Sequence, residues 1–233
     1  MNFALIVAAG SSRRMGFNKL LAPLHGRPVL WHSLSKFQNC SDIAGIVLVG
    51  GEEVLEVAQS WQESGEFPKL CALVLGGAER HLSVQNGLNA LPPEVKLVAV
   101  HDGARPLITP EQITKCLQSA TQAGAAACAH RVADTLKRAE ANGKVSGSVD
   151  REGLWAMETP QVFLVELLSE AYAKVREQAA LVTDEVSALQ LAGMEVLLVE
   201  NPWPNPKITV PSDLALAEAL LSLGQTFSNL PRT

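Results

Sequence analysis

Apolar runs of strand length alternate with amphipathic stretches of helical length through the first half of the chain, and this alternation limits the fold more than any other feature. The runs cover residues 3–8, 43–49, 70–75 and 95–101, and the stretches between them cover 29–37, 54–61 and 83–91. Each run is apolar throughout instead of alternating with polar residues. A strand covered on both faces by helices has that composition. The order therefore predicts an α/β fold built on a doubly wound, mostly parallel sheet. Thr109-Pro110-Glu111-Gln112 then supplies a capping Thr, a Pro at the first helical position and a Gln placed to complete a capping box. A helix from 110 to about 122 and a strand at 125–129 are expected to follow.

The rhythm changes at 134–161, where charged and small residues replace it. This stretch reads as an inserted arm, with flanks at 132–138 and 145–151 pairing as a hairpin around Ala141-Asn142-Gly143. An arm too thin to own a core packs on something, and a second subunit is the natural candidate. Helices are expected at 164–175, 183–191 and 212–223, the last strongly amphipathic, with a strand at 196–199 and a loose end from Gln225. The chain contains no internal repeat.

With 233 residues, 47% hydrophobic and 18% charged, one domain spanning 1–233 with the arm inserted in it is expected. The net charge of -5 argues against a nucleic-acid groove, which needs Lys and Arg to meet phosphates. Any anion site must be local. Cys40, Cys71, Cys116 and Cys128 form no metal or redox spacing, so they read as reduced, mostly buried thiols. No apolar run approaches the roughly 18–20 residues that span a bilayer. The run at 3–9 lacks the preceding basic segment of a signal peptide. A soluble, cytoplasmic protein is expected.

Three segments carry chemistry. In Leu5-Ile-Val-Ala-Ala-Gly-Ser-Ser-Arg-Arg-Met-Gly16 a strand enters a loop of small residues followed by paired arginines. Ala9, Gly10, Ser11 and Ser12 let backbone N–H groups approach phosphate oxygens, while Arg14 and Lys19 supply positive charge. The loop ends the first strand, where open α/β sheets bind ligands. It is neither GxGxxG nor GxxxxGK[ST], which disfavours a dehydrogenase and a P-loop NTPase. In the second segment, Gly76-Gly77-Ala78-Glu79-Arg80-His81-Leu82-Ser83, glycines would let a base or ribose lie on the backbone. Gly77 and Ala78 would make close contacts and Ser83 a hydrogen bond, although a glycine turn with a serine cap has the same composition. The third is His101-Asp102-Gly103-Ala104-Arg105-Pro106, where Asp102 could help hold a magnesium complex and Arg105 an acceptor phosphate. A loop salt bridge between the two is the plainer alternative.

These segments, with VADTLKRA, SVDREGLWAMETPQ, TDEVSAL and NPKITVPSDLALAEALL, resemble 2-C-methyl-D-erythritol 4-phosphate cytidylyltransferases in order and spacing over most of the chain. The resemblance implies a Rossmann-like nucleotidyltransferase fold that joins CTP to a sugar-alcohol phosphate with Mg2+. It implies that Arg14 and Lys19 stabilise the transition state, and that Ala8, Ala9, Gly10, Gly77, Ser83, Asp102 and Gly103 hold CTP. Arg105, Thr135, Arg151, Thr159 and Lys207 would address the acceptor. It further implies a homodimer with interlocked hairpin arms, so that Thr135 and Arg151 reach the neighbouring subunit's site. Three positions depart from the family pattern: the short loop Phe17-Asn18-Lys19-Leu20, Leu82 where an acidic residue is frequent, and Pro206 before Lys207. The short loop is also similar to that of molybdenum-cofactor nucleotidyltransferases. Those enzymes, ribitol-5-phosphate cytidylyltransferases and a nucleotide-binding regulatory module are the alternatives, with a nicotinamide oxidoreductase a more distant one.

Overall fold

The computed structural model describes the chain at residues 1–10 and 15–227. In chain order its elements are β1 (Asn2–Ala8), a short ribbon of β2 (Pro23–Leu24) and β3 (Arg27–Pro28), α1 (Val29–Gln38), β4 (Gly45–Gly50) and α2 (Glu52–Glu63). They continue with β5 (Leu70–Leu75), α3 (Arg80–Asn89), β6 (Leu97–Asp102), α4 (Pro110–Ala123) and β7 (Ala125–Arg131). Then come β8 (Leu136–Ala139), β9 (Val145–Val149), β10 (Trp155–Leu164), α5 (Val165–Glu177), α6 (Glu185–Leu191), β11 (Leu197–Glu200) and α7 (Pro211–Phe227).

Seven strands form one sheet in the order β11-β7-β10-β6-β1-β4-β5. Only β10 runs antiparallel to its neighbours, β6 and β7. The fold is the expected doubly wound, mostly parallel sheet. Along β1, Ala4, Ile6 and Ala8 pack into one apolar layer with Leu30, Leu34 and Phe37 of α1. Phe3 and Leu5 pack into the other with Val84 and Leu88 of α3 and Leu168 of α5. Alternate side chains therefore leave the strand in opposite directions and both sets are buried, which is why the run is apolar throughout.

Four expectations need correction. The arm does not extend to 161, because β10 leaves it at Trp155 and enters the main sheet. The polar Glu158-Thr159-Pro160-Gln161 disguises that strand, and its register shifts between Met157 and Gln161. Pro160 has no N–H to give the ladder, so an irregularity there is its natural place. Only β8 and β9 pair as the projecting hairpin. The capping box is half made: Thr109 accepts from Gln112 N at 3.2 Å, but the Gln112 side chain donates to Glu200 O at 3.2 Å. It ties α4 to β11 instead of returning to the cap. The ribbon of β2 and β3 stands where no strand is expected. Last, α7 continues to Phe227 and is less one-sided than expected, since Ala217 is buried while Leu216 is about half exposed.

The cysteines are free, and all but Cys71 are buried. Among the described residues no helix is long and apolar enough to cross a membrane.

Candidate active site

Because β1, β4, β5 and β6 run parallel, their C-terminal ends and the loops that follow share one edge of the sheet. That edge gathers Ala8, Ala9 and Gly10, then Gly76 to Ala78, then Asp102 and Gly103. Gly76 N donates to Gly50 O at 3.0 Å and Gly103 N to Val7 O at 2.9 Å, which pins the loops side by side. Gly76 itself is required by an internal contact, since a Cβ there would overlap the Cβ of Ala9. Neither side chain has a flexible end to move away. Gly76→Ala should therefore cost about 1–3 kcal/mol, the usual range for overpacking, and push the Ala9 loop out of line. Urea unfolding reads the first effect and the KM for nucleotide the second; unchanged values would show that the loops separate freely.

Ser11, Ser12 and Arg14 lie outside the described residues. A hollow of about 530 Å³ is lined by Ala8 to Gly10, Gly16 to Asn18 and Gly51 to Val54. The short segment that follows is tied at both ends. Asn18 Nδ2 donates to Glu53 Oε2 at 2.8 Å while its Oδ1 accepts from Leu20 N at 3.2 Å. Lys19 Nζ donates to Ile208 O at 2.7 Å. Lys19 thereby meets the chain segment that carries Lys207, although the two are distant in sequence. That segment crosses the sheet edge through Ile208 N to Ala104 O at 2.9 Å. It is anchored below by buried Glu158, which accepts from Asn201 Nδ2 at 2.8 Å and Asn205 Nδ2 at 3.0 Å.

Asp102 is the hub of the edge. Its carboxylate lies 2.8 Å from Lys207 Nζ, 3.2 Å from Arg80 Nη2 and 3.7 Å from Arg105 Nε. Burial pushes its carboxyl up, but Arg80, Lys207 and Arg105 outweigh burial and hold it well below the usual carboxylate range. The loop salt bridge weighed from sequence is present, within a larger cationic cluster. Arg105 Nη1 also donates to Asn205 O at 2.7 Å and Nη2 to Met157 O at 3.3 Å. A cleft of about 1090 Å³ opens here, lined among others by Arg80, Asp102, Arg105, Thr159 and Lys207.

Beneath the cleft the hydrogen bonds fix a tautomer. His101 Nε2 is 3.1 Å from Arg105 O, which can only accept, so Nε2 carries the proton and Nδ1 must accept. Nδ1 takes the Thr159 hydroxyl at 3.0 Å, and that oxygen in turn accepts the Asp102 N–H at 3.1 Å. Burial disfavours the imidazolium and brings the His101 pKa down to about 4. Thr159 lines the cleft with its hydroxyl already engaged behind it. Ser83 is similarly committed: it is buried, accepts from Gly77 N at 3.0 Å and donates to Glu79 O at 3.1 Å. Its visible work is to shape the glycine loop.

Ala8, Ala9, Gly10, Lys19, Gly77, Ala78, Ser83, Asp102, Gly103, Arg105, Thr159 and Lys207 thus come to one edge of the sheet. Thr135 and Arg151 do not line the cleft; both are exposed on the arm, where Arg151 Nη1 donates to Ala133 O. Sequence reasoning missed Arg80 and Glu185. Arg80 donates to both Asp102 and Glu185, and Glu185 also accepts the Tyr172 hydroxyl at 2.7 Å. Both residues stand inside motif-bearing segments, yet no spacing rule pairs charges 105 positions apart.

Among the described residues no group of three or more His, Cys, Asp or Glu forms a metal cage. The arrangement fits a magnesium ion held mainly by phosphate oxygens, which needs one or two carboxylates; Asp102 lines the cleft at the sheet edge, and Glu158, Asp184 and Glu195 line it as well.

A family model described as 2-C-methyl-D-erythritol 4-phosphate cytidylyltransferase matches residues 2–223. A protein of that name from Desulforamulus reducens is 40% identical over 222 residues, covering 94% of each chain. Another from Caldanaerobacter subterraneus is 40% identical over 221 residues, 94% of this chain and 97% of the other. A crystal structure described as 4-diphosphocytidyl-2C-methyl-D-erythritol synthase from Anaerococcus prevotii superposes with a TM-score of 0.84 at 28% identity, covering 95% and 96% of the two chains. The 2-C-methyl-D-erythritol 4-phosphate cytidylyltransferase of Thermus thermophilus superposes with a TM-score of 0.77 at 33% identity, covering 95% and 100%.

Proposed function

The chain belongs to the 2-C-methyl-D-erythritol 4-phosphate cytidylyltransferase family, and from that premise we propose how its residues perform the family's reaction. The enzyme converts CTP and 2-C-methyl-D-erythritol 4-phosphate to the CDP-linked alcohol and pyrophosphate, a step of isoprenoid precursor synthesis. The observation that carries the residue assignment is the cluster of Arg80, Arg105 and Lys207 around Asp102 at the sheet edge.

A phosphate oxygen of the acceptor attacks the α-phosphorus of CTP, a new P–O bond forms, and the bond from that phosphorus to the β-bridging oxygen breaks. Pyrophosphate leaves with the electron pair. No general base is required, since a phosphate monoester with a second pKa of about 6 is largely dianionic at neutral pH. The obstacle is repulsion between anions, and placed cations remove it. Lys19 and Arg14 act on charge building at the α-phosphate and the leaving oxygen. The small residues Ala8 to Ser11, with Gly77, Ala78, Ser83 and Gly103, let the nucleotide lie against backbone N–H groups. Arg105, Lys207 and Thr159 form the acceptor side. Asp102, with the triphosphate oxygens, would hold magnesium, which would supply further charge neutralisation.

The arm completes the site from a second copy, bringing the partner's Thr135 and Arg151 to the acceptor. In support, β8 and β9 pair only with each other among the described strands, and Val145 is 67% exposed. A lone two-stranded hairpin is marginal in water. Free thiols, including exposed Cys71, suit a reducing compartment, and we assign the enzyme to the cytoplasm.

Purified protein incubated with CTP, magnesium and 2-C-methyl-D-erythritol 4-phosphate should release pyrophosphate and the CDP-linked alcohol, with ribitol 5-phosphate run in parallel. Product from ribitol phosphate alone would overturn the acceptor. Sedimentation equilibrium on the same preparation should give a dimer; a monomer with full activity would remove the arm from the site.

A further inference from the structure

Glu185 is fully buried, yet it is a charged partner. One oxygen, Oε1, accepts both from Arg80 Nη1 and from the Tyr172 hydroxyl, while Oε2 has no hydrogen-bond partner among the described residues. Stability gives little reason to keep such a group. Buried ion pairs are often matched or bettered by apolar residues of similar volume, and an unsatisfied buried oxygen adds a further cost. What the pair does provide is direction. Arg80 uses Nη1 on Glu185 and Nη2 on Asp102 Oδ1, so one planar fork spans two carboxylates. Asp102 Oδ2 is thereby left to Lys207 and Arg105.

The mounting of Glu185 is rigid. Asp184 caps α6 by accepting Ser187 N at 3.0 Å and accepts Gln161 Nε2 at 2.9 Å through its other oxygen. Gln161 Oε1 accepts Val186 N at 3.2 Å in return. The start of α6 is thus bolted to β10 on both sides of Glu185. Groups that orient a functional side chain act well when their own position is fixed by the scaffold.

We infer that Glu185 is a positioning residue for the transfer reaction: from beneath the cleft it fixes the Arg80 guanidinium, and through Arg80 the Asp102 carboxylate and the two cations that carboxylate gathers. The inference rests on the cytidylyltransferase reading of the cleft. Glu185 touches no substrate in it. Its loss would let Arg80 swing, and Asp102 with it, without opening the fold.

Glu185→Gln is the discriminating variant, because Oε1 already takes both bonds and the amide nitrogen can occupy the place of Oε2. Side-chain volume and the accepting oxygen are kept, while the negative charge that holds the Arg80 guanidinium in place is removed, so Arg80 is left on weaker neutral hydrogen bonding and can turn away. The expected result is a fall of roughly 10–100-fold in kcat/KM for CTP, the scale seen when a partner that orients a ligand is lost, with KM for CTP carrying part of it. A purely structural defect would lower the active fraction, and so kcat, at constant KM. In an Arg80→Lys background, Glu185→Gln should cost less than about threefold more, since it acts through the missing fork. Wild-type kcat/KM in Glu185→Gln, a fall in kcat alone, or losses that multiply in the double variant would each overturn the inference. If Glu185→Gln does not accumulate as folded protein, Arg80→Lys decides the question: it keeps the charge but cannot span both carboxylates, and full activity would sink the idea. Calorimetric CTP binding by each variant separates this from failure of the functional reading. Wild-type protein inactive on the erythritol phosphate would still bind CTP more tightly than Glu185→Gln if the network orients the site, and equal binding would overturn it.

Discussion

Asp102→Asn is expected to lower kcat/KM by about a hundredfold to a thousandfold, the loss that follows removal of one preorganised electrostatic group from a site. The substitution is nearly isosteric, so the effect isolates charge. Asp102 is 7% exposed and lies among Arg80, Arg105 and Lys207. Once it is neutral, three cations lose their common counterion, and the amide turns a donor toward one of them. Like charges then separate, and the acceptor and nucleotide meet groups out of place. Because those cations hold the carboxyl well below the usual range, the wild-type group stays ionised through the working pH range. The ratio of wild-type to variant kcat/KM should accordingly be flat from about pH 6 to about pH 9, well above the ordinary carboxylate range. Steady-state pyrophosphate release across that range checks both statements, with circular dichroism confirming that the variant is folded. A loss of less than threefold would take Asp102 out of the site.

The scaffold was legible because its signal is local and repeated. Each parallel strand is a short apolar run, and each covering helix an amphipathic stretch, so the order of elements follows from composition alone. The exception is instructive. β10 carries Glu158, Thr159, Pro160 and Gln161 in the middle of a buried strand, and these are the residues that brace the site from below. Glu158 anchors the segment leading to Lys207, Thr159 links Asp102 to His101, and Gln161 holds α6. A strand that spends its interior on polar work loses the pattern by which strands are recognised.

The site was legible in part for a related reason. Loops of small residues beside cations announce themselves, and Asp102 and Arg105 emerge from the segment that contains them, whereas Lys207 is expected only through the family resemblance. Arg80 and Glu185 stand in such segments too, but their role exists only in the fold, where they are brought together across 105 positions. Ser83 and Thr159 show the converse. Ser83 is expected as a ligand contact from its segment and Thr159 from the family resemblance, and both hold hydrogen bonds inside the protein that a sequence cannot display.

Stability should fall as the pH drops from 6.5 towards 4, through His101. The ring is completely buried as the neutral tautomer, and its pKa comes down from 6.5 to about 4 because burial penalises the charged form. Across that interval the unfolded chain binds a proton at this position and the native chain does not, so stability is fully present above pH 6.5 and is lost on the way down. Each pH unit within the interval removes about 1.4 kcal/mol, so the whole loss comes to about 3 kcal/mol. Urea midpoints at about pH 7, 6 and 5 read it. His101→Gln, which keeps a donor and an acceptor but does not titrate, should start lower and show a flatter slope, and an identical slope would exonerate the histidine. Activity should weaken over the same interval for a second, separable reason: the acceptor's own phosphate takes up a proton near pH 6. That change alters kcat/KM for the acceptor and leaves the urea midpoint alone. Protonated His101 would alter both, because Nδ1 could no longer accept the Thr159 hydroxyl whose oxygen holds the Asp102 N–H. The core histidine and the catalytic edge are one hydrogen-bonded unit, and they should come apart together.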